Sequence, residues 1–301
     1  FMELFDTGKS ILQEIHLDPV LFRNVRLLVK RDDLIHPEVS GNKWRKLKYN
    51  IELAEHQKKE GILTFGGAYS NHLLAVAAAC KLAGLKSIGV VRGEELHAES
   101  NPNLKRCAEW GMELVFVSRE SYDERNEKRC QEGWKEAHPS YLLVPEGGAN
   151  YYGIAGCQEI WKELPHDIDH LFVAQGTTTT SCGLLVGMKE DARLHVVPVL
   201  KGFDSMAEMH RNLFPFLVDE ETIQEYLERV EVHPDAHFGG YGKWNDALVD
   251  FIATVHRTYH LPLDRIYTGK AFQALMNWLE KQTFEQPQTI VFLHTGGLQN
   301  G

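Results

Sequence analysis

ILTFGGAYSNHLLAVAAACKLAGLKSIGVV, residues 62–91, decides the fold class. Ile62 to Phe65 is a short apolar run. Gly66-Gly67 then turns the chain, and Ser70-Asn71 opens an alanine-rich helix to about Ala83. Ser87 to Val91 is a second apolar run. A strand, a helix and a strand in about 30 residues make a βαβ unit, whose crossover helix returns the chain so that the strands run parallel. The alternation continues outward. A helix is expected from about Asn101 to Trp110, a strand at Glu113 to Val117, a charged helix ending near His138, and a strand from Tyr141 to Val144 that stops at Pro145. The charge run Asp123 to Lys135 reads as a solvated helix face. The helical segments begin at Ser, Asn or Asp and end at Gly or Pro, as capping chemistry requires.

The alternation resumes at Leu171 to Gln175, followed by a threonine run and a helix from about Ser181. Further strands are expected at His195 to Leu200, Arg229 to His233 and Ile290 to His294, with an early strand near Arg26 to Lys30. Helices are expected near Trp244 to Tyr259 and Thr268 to Gln282. The glycine-rich stretch Pro145 to Gly153 is the candidate domain boundary. Two α/β domains follow, with ligands at the carboxyl ends of the strands.

The chain has 301 residues, and its 32 Lys+Arg against 42 Asp+Glu give a net charge of −10. Hydrophobic residues make up 43% and charged residues 25%, ordinary globular usage that argues against disordered and fibrous classes. The acidity makes nucleic acid a poor partner, since phosphate backbones call for a basic stripe. No run approaches the roughly 18 apolar residues of a membrane helix, and the opening FMELFDTGKS has no leader pattern. Five cysteines without metal-ligand spacing read as buried thiols of a reducing compartment, so a cytoplasmic location is expected. The fifteen histidines read as scattered surface or core residues, and no metal site is expected.

Four turns could carry chemistry. Ser40-Gly41-Asn42-Lys43 precedes a helix, placing Lys43 in its first turn, where the dipole disfavours a charged amine. A neutral amine attacks carbonyls, though from this turn alone a lysine in such a basic stretch is more often a solvated surface residue. Gly66 to His72 opens a helix whose free N–H groups either bind an anion or are simply capped. Gln175-Gly176-Thr177-Thr178-Thr179-Thr180-Ser181 puts five consecutive hydroxyls at a helix start. That forms a phosphate cradle lacking both the P-loop and the dinucleotide spacing. His294-Thr295-Gly296-Gly297 ends the last strand. A phosphate cradle without a nucleotide motif, together with a helix-start lysine, points to a phosphorylated aldehyde, and pyridoxal 5'-phosphate fits both.

The run Gly41-Asn42-Lys43-Trp44-Arg45-Lys46-Leu47 resembles an element of the pyridoxal-phosphate-dependent 1-aminocyclopropane-1-carboxylate (ACC) deaminase and D-cysteine desulfhydrase family. Arg31-Asp32-Asp33, Gly66-Gly67 with Ser70-Asn71-His72, Pro145-Glu146-Gly147-Gly148, Tyr267-Thr268-Gly269-Lys270 and His294-Thr295-Gly296-Gly297 match it in order. The resemblance spans nearly the whole chain. It implies the type II pyridoxal-phosphate fold, related to tryptophan synthase β: two open, twisted, mostly parallel sheets with helices on both faces and an active site between the domains. The large cofactor-binding domain would comprise 1–46 plus 152–301, and the smaller one 47–151.

The resemblance also implies roles. Lys43 is the Schiff-base lysine and moves the Cα proton. Asn71 bonds the cofactor's phenolic oxygen, while Ser70 and the helix behind it hold the substrate carboxylate. Gly176, Thr177, Thr178, Thr179 and Thr180 hold the phosphate. Tyr241 and Tyr267, 26 residues apart, line the substrate side, and Thr295 contacts the pyridine nitrogen. The family's usual Gln is replaced by Tyr69, which either reaches the substrate or packs away from it, and His72 flanks the site.

The family's deaminases carry Glu and Leu where this chain has Thr268 and Thr295, so the chain looks like the desulfhydrase branch. The expected reaction is α,β-elimination of D-cysteine to pyruvate, ammonia and sulfide. The alternatives are ACC deamination to 2-oxobutyrate and ammonia, deamination of a related small amino acid, or a catalytically quiet cofactor-binding protein. A homodimer is the family expectation.

Overall fold

The computed structural model describes residues 7–39, 41–217 and 219–298. Ser40 of the first turn and the first six residues of the opening stretch lie outside them. In chain order the strands and α-helices are β1 (Leu12–Ile15), β2 (Val25–Lys30), α1 (Asn42–His56), β3 (Gly61–Gly66), α2 (Asn71–Ala83), β4 (Lys86–Arg92), α3 (Pro102–Glu109), β5 (Met112–Val117), α4 (Arg119–Asp123), α5 (Lys128–Ala137) and β6 (Tyr141–Leu143). They continue with α6 (Tyr151–Gln158), β7 (His170–Gln175), α7 (Thr179–Gly187), β8 (Arg193–Pro198), α8 (Ser205–Leu217), α9 (Glu220–Leu227), β9 (Val230–Val232), α10 (Asp246–Tyr259), α11 (Thr268–Leu279) and β10 (Gln288–Leu293).

The chain packs as two units. Of the described residues, one comprises His36–Val39 and Lys43–Gly156; the other takes Thr7–Ile35, Gly41–Asn42 and the chain from Cys157. Residues 36–39, 43–46 and 152–156, placed by sequence with the larger domain, pack with the smaller unit.

The smaller unit holds a four-stranded parallel sheet in the order β5-β4-β3-β6. Every residue of β3 is buried, which explains a continuous apolar run rather than an alternating one. Ser70 caps α2 by accepting the N–H groups of His72 and Leu73, and Gly84 ends it in the left-handed region at φ 69°. The charged helix expected before His138 is broken: α4 and α5 are separated by a short 3-10 turn, Glu124–Asn126. Its face is not wholly solvated either. Arg125 lies over the Tyr122 ring and pairs with Glu146 at 2.7 Å, and the Tyr122 hydroxyl donates to the same carboxylate at 2.9 Å.

The larger unit holds a six-stranded sheet in the order β1-β2-β10-β7-β8-β9, parallel except for β1. Leu27, Val29, Phe172, Val197, Ile290 and Phe292 form its core with Phe272 and Leu275 of α11. The Arg31-Asp32-Asp33 motif is internal scaffolding. Arg31 forks onto the Asp33 carboxylate at 2.8 and 2.7 Å, and Asp32 accepts the Ser10 hydroxyl at 2.6 Å.

Three histidines depart from the expected scatter. His170 Nδ1 lies 2.9 Å from His195 Nε2, and His195 Nδ1 lies 3.0 Å from His233 Nε2. Burial, then the neighbouring His170 and His233, push His195 down to about 2, so its ring is neutral.

Candidate active site

In the larger unit, β7 delivers the chain to Gln175 at the carboxyl edge of the sheet, and α7 starts four residues later. Thr178, the residue before α7, makes no side-chain cap hydrogen bond. The hydroxyl run is not uniform. Thr178 Oγ1 accepts Asn212 Nδ2 at 2.6 Å, and Thr180 Oγ1 accepts Asn42 Nδ2. Ser181 accepts Gln175 Nε2 at 2.7 Å and donates to the Thr178 carbonyl at 2.9 Å. Thr178 and Thr180 therefore keep their own protons to donate, whereas the Ser181 proton is already used. A side chain at Gly176 would put Cβ 2.9 Å from the Tyr267 ring, so the loop needs glycine there.

Gly41 is fixed by the turn after β10. It sits at φ +64°, and a Cβ there would lie 2.0 Å from the Thr295 carbonyl oxygen. The Asn42 N–H donates to that same oxygen at 3.3 Å. Lys43 is the next residue along. Thr295 is 8% exposed. His294 is locked beside it: Nε2 donates to the Pro262 carbonyl at 2.7 Å, and Nδ1 accepts the Gly296 N–H at 3.1 Å.

Tyr267 and Tyr241 meet. Their hydroxyls are 3.4 Å apart, with ring centroids 6.0 Å apart and nearly edge to face. Two residues given no role by the sequence reading hold this pair. The buried Asp264 carboxylate accepts the N–H groups of Ile266, Tyr267 and Thr268 at 2.6 to 2.9 Å. Lys270, fully buried, donates to the His237 and Gly240 carbonyls at 2.9 and 3.0 Å, fastening the loop before Tyr241. Burial pulls its pKa down to about 8. Thr268 corrects part of the sequence argument. Its hydroxyl donates to Asp264 at 2.6 Å and accepts the Asp264 N–H at 2.9 Å, so it serves α11 rather than a ligand.

In the smaller unit, Lys43 is the second residue of α1 and is partly buried, and Lys46, one turn on, is buried. His72, in the first turn of α2, is 3% exposed. Thr64 Oγ1 donates to the Val144 carbonyl at 2.7 Å, so it must accept from His72 Nε2 at 2.9 Å. That fixes the tautomer and leaves Nδ1 as a buried acceptor with no partner. Burial, then the charges of Lys43 and Lys46, lower the His72 pKa to about 3. Asn71 and Ser70 stand at the same helix start, and Tyr69 is 58% exposed.

These residues fit pyridoxal phosphate. An uncapped helix start with threonine hydroxyls suits a phosphate. In the smaller unit, the unpaired buried acceptor of His72 calls for a polar ligand group.

The family model described as pyridoxal-phosphate dependent enzyme matches residues 17–296. A Pyrococcus horikoshii protein, provisionally named as an ACC deaminase, is 31% identical over 283 residues, covering 90% of this chain and 84% of that protein. The mitochondrial bifunctional D-cysteine desulfhydrase/ACC deaminase of Arabidopsis thaliana is 28% identical over 303 residues, 93% of this chain and 74% of that one. A crystal structure described as an ACC deaminase homologue superposes with a TM-score of 0.76 at 28% identity, covering 97% of this chain and 90% of that chain. The fold is accordingly the type II pyridoxal-phosphate fold, and the chain belongs to the pyridoxal-phosphate dependent enzymes, in the family of ACC deaminase and D-cysteine desulfhydrase.

Proposed function

We propose that the enzyme eliminates the β-substituent of a small amino acid, D-cysteine above all, releasing pyruvate, ammonia and hydrogen sulfide with uptake of one water. Pyridoxal phosphate, when bound, supplies an electron sink for the electrons released at the substrate's Cα. The N–H groups opening α7, Gly176 and the hydroxyls of Thr177 to Thr180 hold its phosphate, and Asn71 bonds its phenolic oxygen. Lys43 Nζ would hold the cofactor's aldehyde carbon and would be the base that takes the proton from the substrate's Cα. The Ser70 hydroxyl and the start of α2 bind the substrate carboxylate. Tyr267 and Tyr241 line the substrate side and hydrogen-bond the departing sulfur.

The observation that carries this reading is the residue type at the end of β10: Thr295, 8% exposed, offers a hydroxyl there rather than a carboxylate. Paired with the ring nitrogen, a hydroxyl shares a hydrogen bond without supplying a full proton as an acid would. A hydroxyl partner of this kind would suit quick expulsion of a leaving group.

ACC ring opening is the second reading, favoured by the names of the relatives and by Thr268 being occupied within α11. Holoenzyme given D-cysteine, L-cysteine or ACC separates the two. Sulfide and pyruvate from D-cysteine support the proposal; 2-oxobutyrate from ACC with no sulfide from D-cysteine overturns it. We further infer a cytoplasmic homodimer. The five free cysteines support a reducing compartment and the family supports the dimer, which light scattering of the holoenzyme checks.

A further inference from the structure

The parallel pairing of β8 and β9 sets His195 opposite Glu231, and His233 lies two residues beyond Glu231. Side chains two apart share a strand face, so all three project from one side of the sheet. His195 Nδ1 is 3.0 Å from His233 Nε2 and 3.6 Å from Glu231 Oε2, while His233 Nε2 is 3.7 Å from Glu231 Oε1. A tetrahedral ion with bonds of about 2.0–2.1 Å holds its ligand atoms about 3.4 Å apart. The three spacings bracket that value.

We propose that His195, Glu231 and His233 bind a divalent transition-metal ion, zinc by donor chemistry. Two imidazoles and a carboxylate form a borderline donor set that suits zinc better than calcium or magnesium. The surroundings are those of a prepared ligand. His195 Nε2 is 2.9 Å from His170 Nδ1, and a proton on Nε2 leaves Nδ1 as a lone pair. Phe172 stacks on the His195 ring at 4.1 Å and Trp278 meets it edge-on at 4.8 Å, so the ring is held. Glu231 is 45% exposed, which opens a route to solvent and room for a water as fourth ligand.

Without the ion, one ring proton is shared between His195 Nδ1 and His233 Nε2. Binding moves it to His233 Nδ1, a tautomer change with no net proton released. The site lies three residues before Pro198, about 10 Å along β8 from the carboxyl edge. The ion is therefore structural: it ties the three-residue rim strand β9 to β8 and takes no part in the elimination.

The test titrates chelator-treated holoenzyme with zinc, and separately with cobalt, whose visible absorption reports tetrahedral coordination. One equivalent should bind. Glu231→Gln, at an exposed position that tolerates change, and His233→Ala should each lose about 100-fold or more in affinity, and His170→Ala about 10-fold. All should keep the cofactor's colour. A parent enzyme that retains no zinc at tens of micromolar free ion overturns the proposal, as does undiminished binding by both Glu231→Gln and His233→Ala.

Discussion

The strand pair β7–β8 ends in opposite chemistries. At its carboxyl edge, Gln175 leads into a helix start where amide N–H groups and hydroxyl protons converge, a surface of donors suited to an anion. Toward its amino edge, His170 and His195 present ring nitrogens beside His233 and the Glu231 carboxylate, a surface of lone pairs suited to a cation. The backbone explains the first: a helix following a strand always brings its positive end to the strand's carboxyl edge. Nothing in the backbone creates the second, which depends wholly on side chains arriving from separate strands. The anion edge is a property of the fold, and the histidine edge belongs to this sequence.

The comparison can be broken hardest at Lys43. Lys43→Ala should reduce pyruvate release from D-cysteine by about 10³-fold or more, because the proton at Cα loses its acceptor. The phosphate cradle is untouched, so equilibrium dialysis should still find cofactor bound, and zinc uptake at the other edge should be unchanged. Next comes Gly176→Ala. The added Cβ falls 2.9 Å from the Tyr267 ring, so both loop and ring must shift. Cofactor affinity should drop about 10-fold, a change of roughly 1.4 kcal/mol, with a raised KM for D-cysteine.

A milder break is Asn212→Leu, which deprives Thr178 Oγ1 of its donor. Loss of one hydrogen bond costs about 1 kcal/mol, so cofactor affinity should weaken about 5-fold in the same dialysis.

A last contrast, read in stability rather than in cofactor affinity, sets an engaged imidazole against an idle one. His72 is neutral, and its Nδ1 has no partner. Below pH 6.5 the unfolded chain protonates this residue, whereas the folded chain resists until about pH 3. Stability therefore falls as pH drops through that window and is level above it, by at most about 1.4 kcal/mol per pH unit for one proton. In His72→Phe, urea midpoints measured at pH 7 and pH 5 should lie closer together than in the parent.

The strand and helix alternation between Gly61 and Leu143 was legible because buried parallel strands are unbroken apolar runs, and Ile62 to Phe65 stands inside the observed Gly61–Gly66. β1 escaped notice, because LQEI is short, polar and mostly exposed. So did α8, whose internal Pro215 argues against a helix. Among site residues, the Thr run and the Tyr241–Tyr267 pair announce themselves by composition and by resemblance. Asp264 does not, and Lys270, though inside the Tyr267-Thr268-Gly269-Lys270 motif, shows no role there, since the partners of both are backbone groups that any residue type could supply. An Asp whose carboxylate collects the next turn's amides is a recognisable turn signal, and Asp264 four residues before Thr268 is the one hint available. The histidine cluster was hidden because His195 and Glu231 are neighbours only through strand register.

Both rims of the six-stranded sheet are brief. One is the four-residue, antiparallel β1 and the other the three-residue β9. A sheet propagates by recruiting strands from other molecules along open amide edges, and such stubs offer too few groups for a foreign strand to grip. The enzyme should therefore resist edge-to-edge polymerisation in crowded solution. Extending either rim by a few β-branched residues would be the simplest way to turn it into a fibre former.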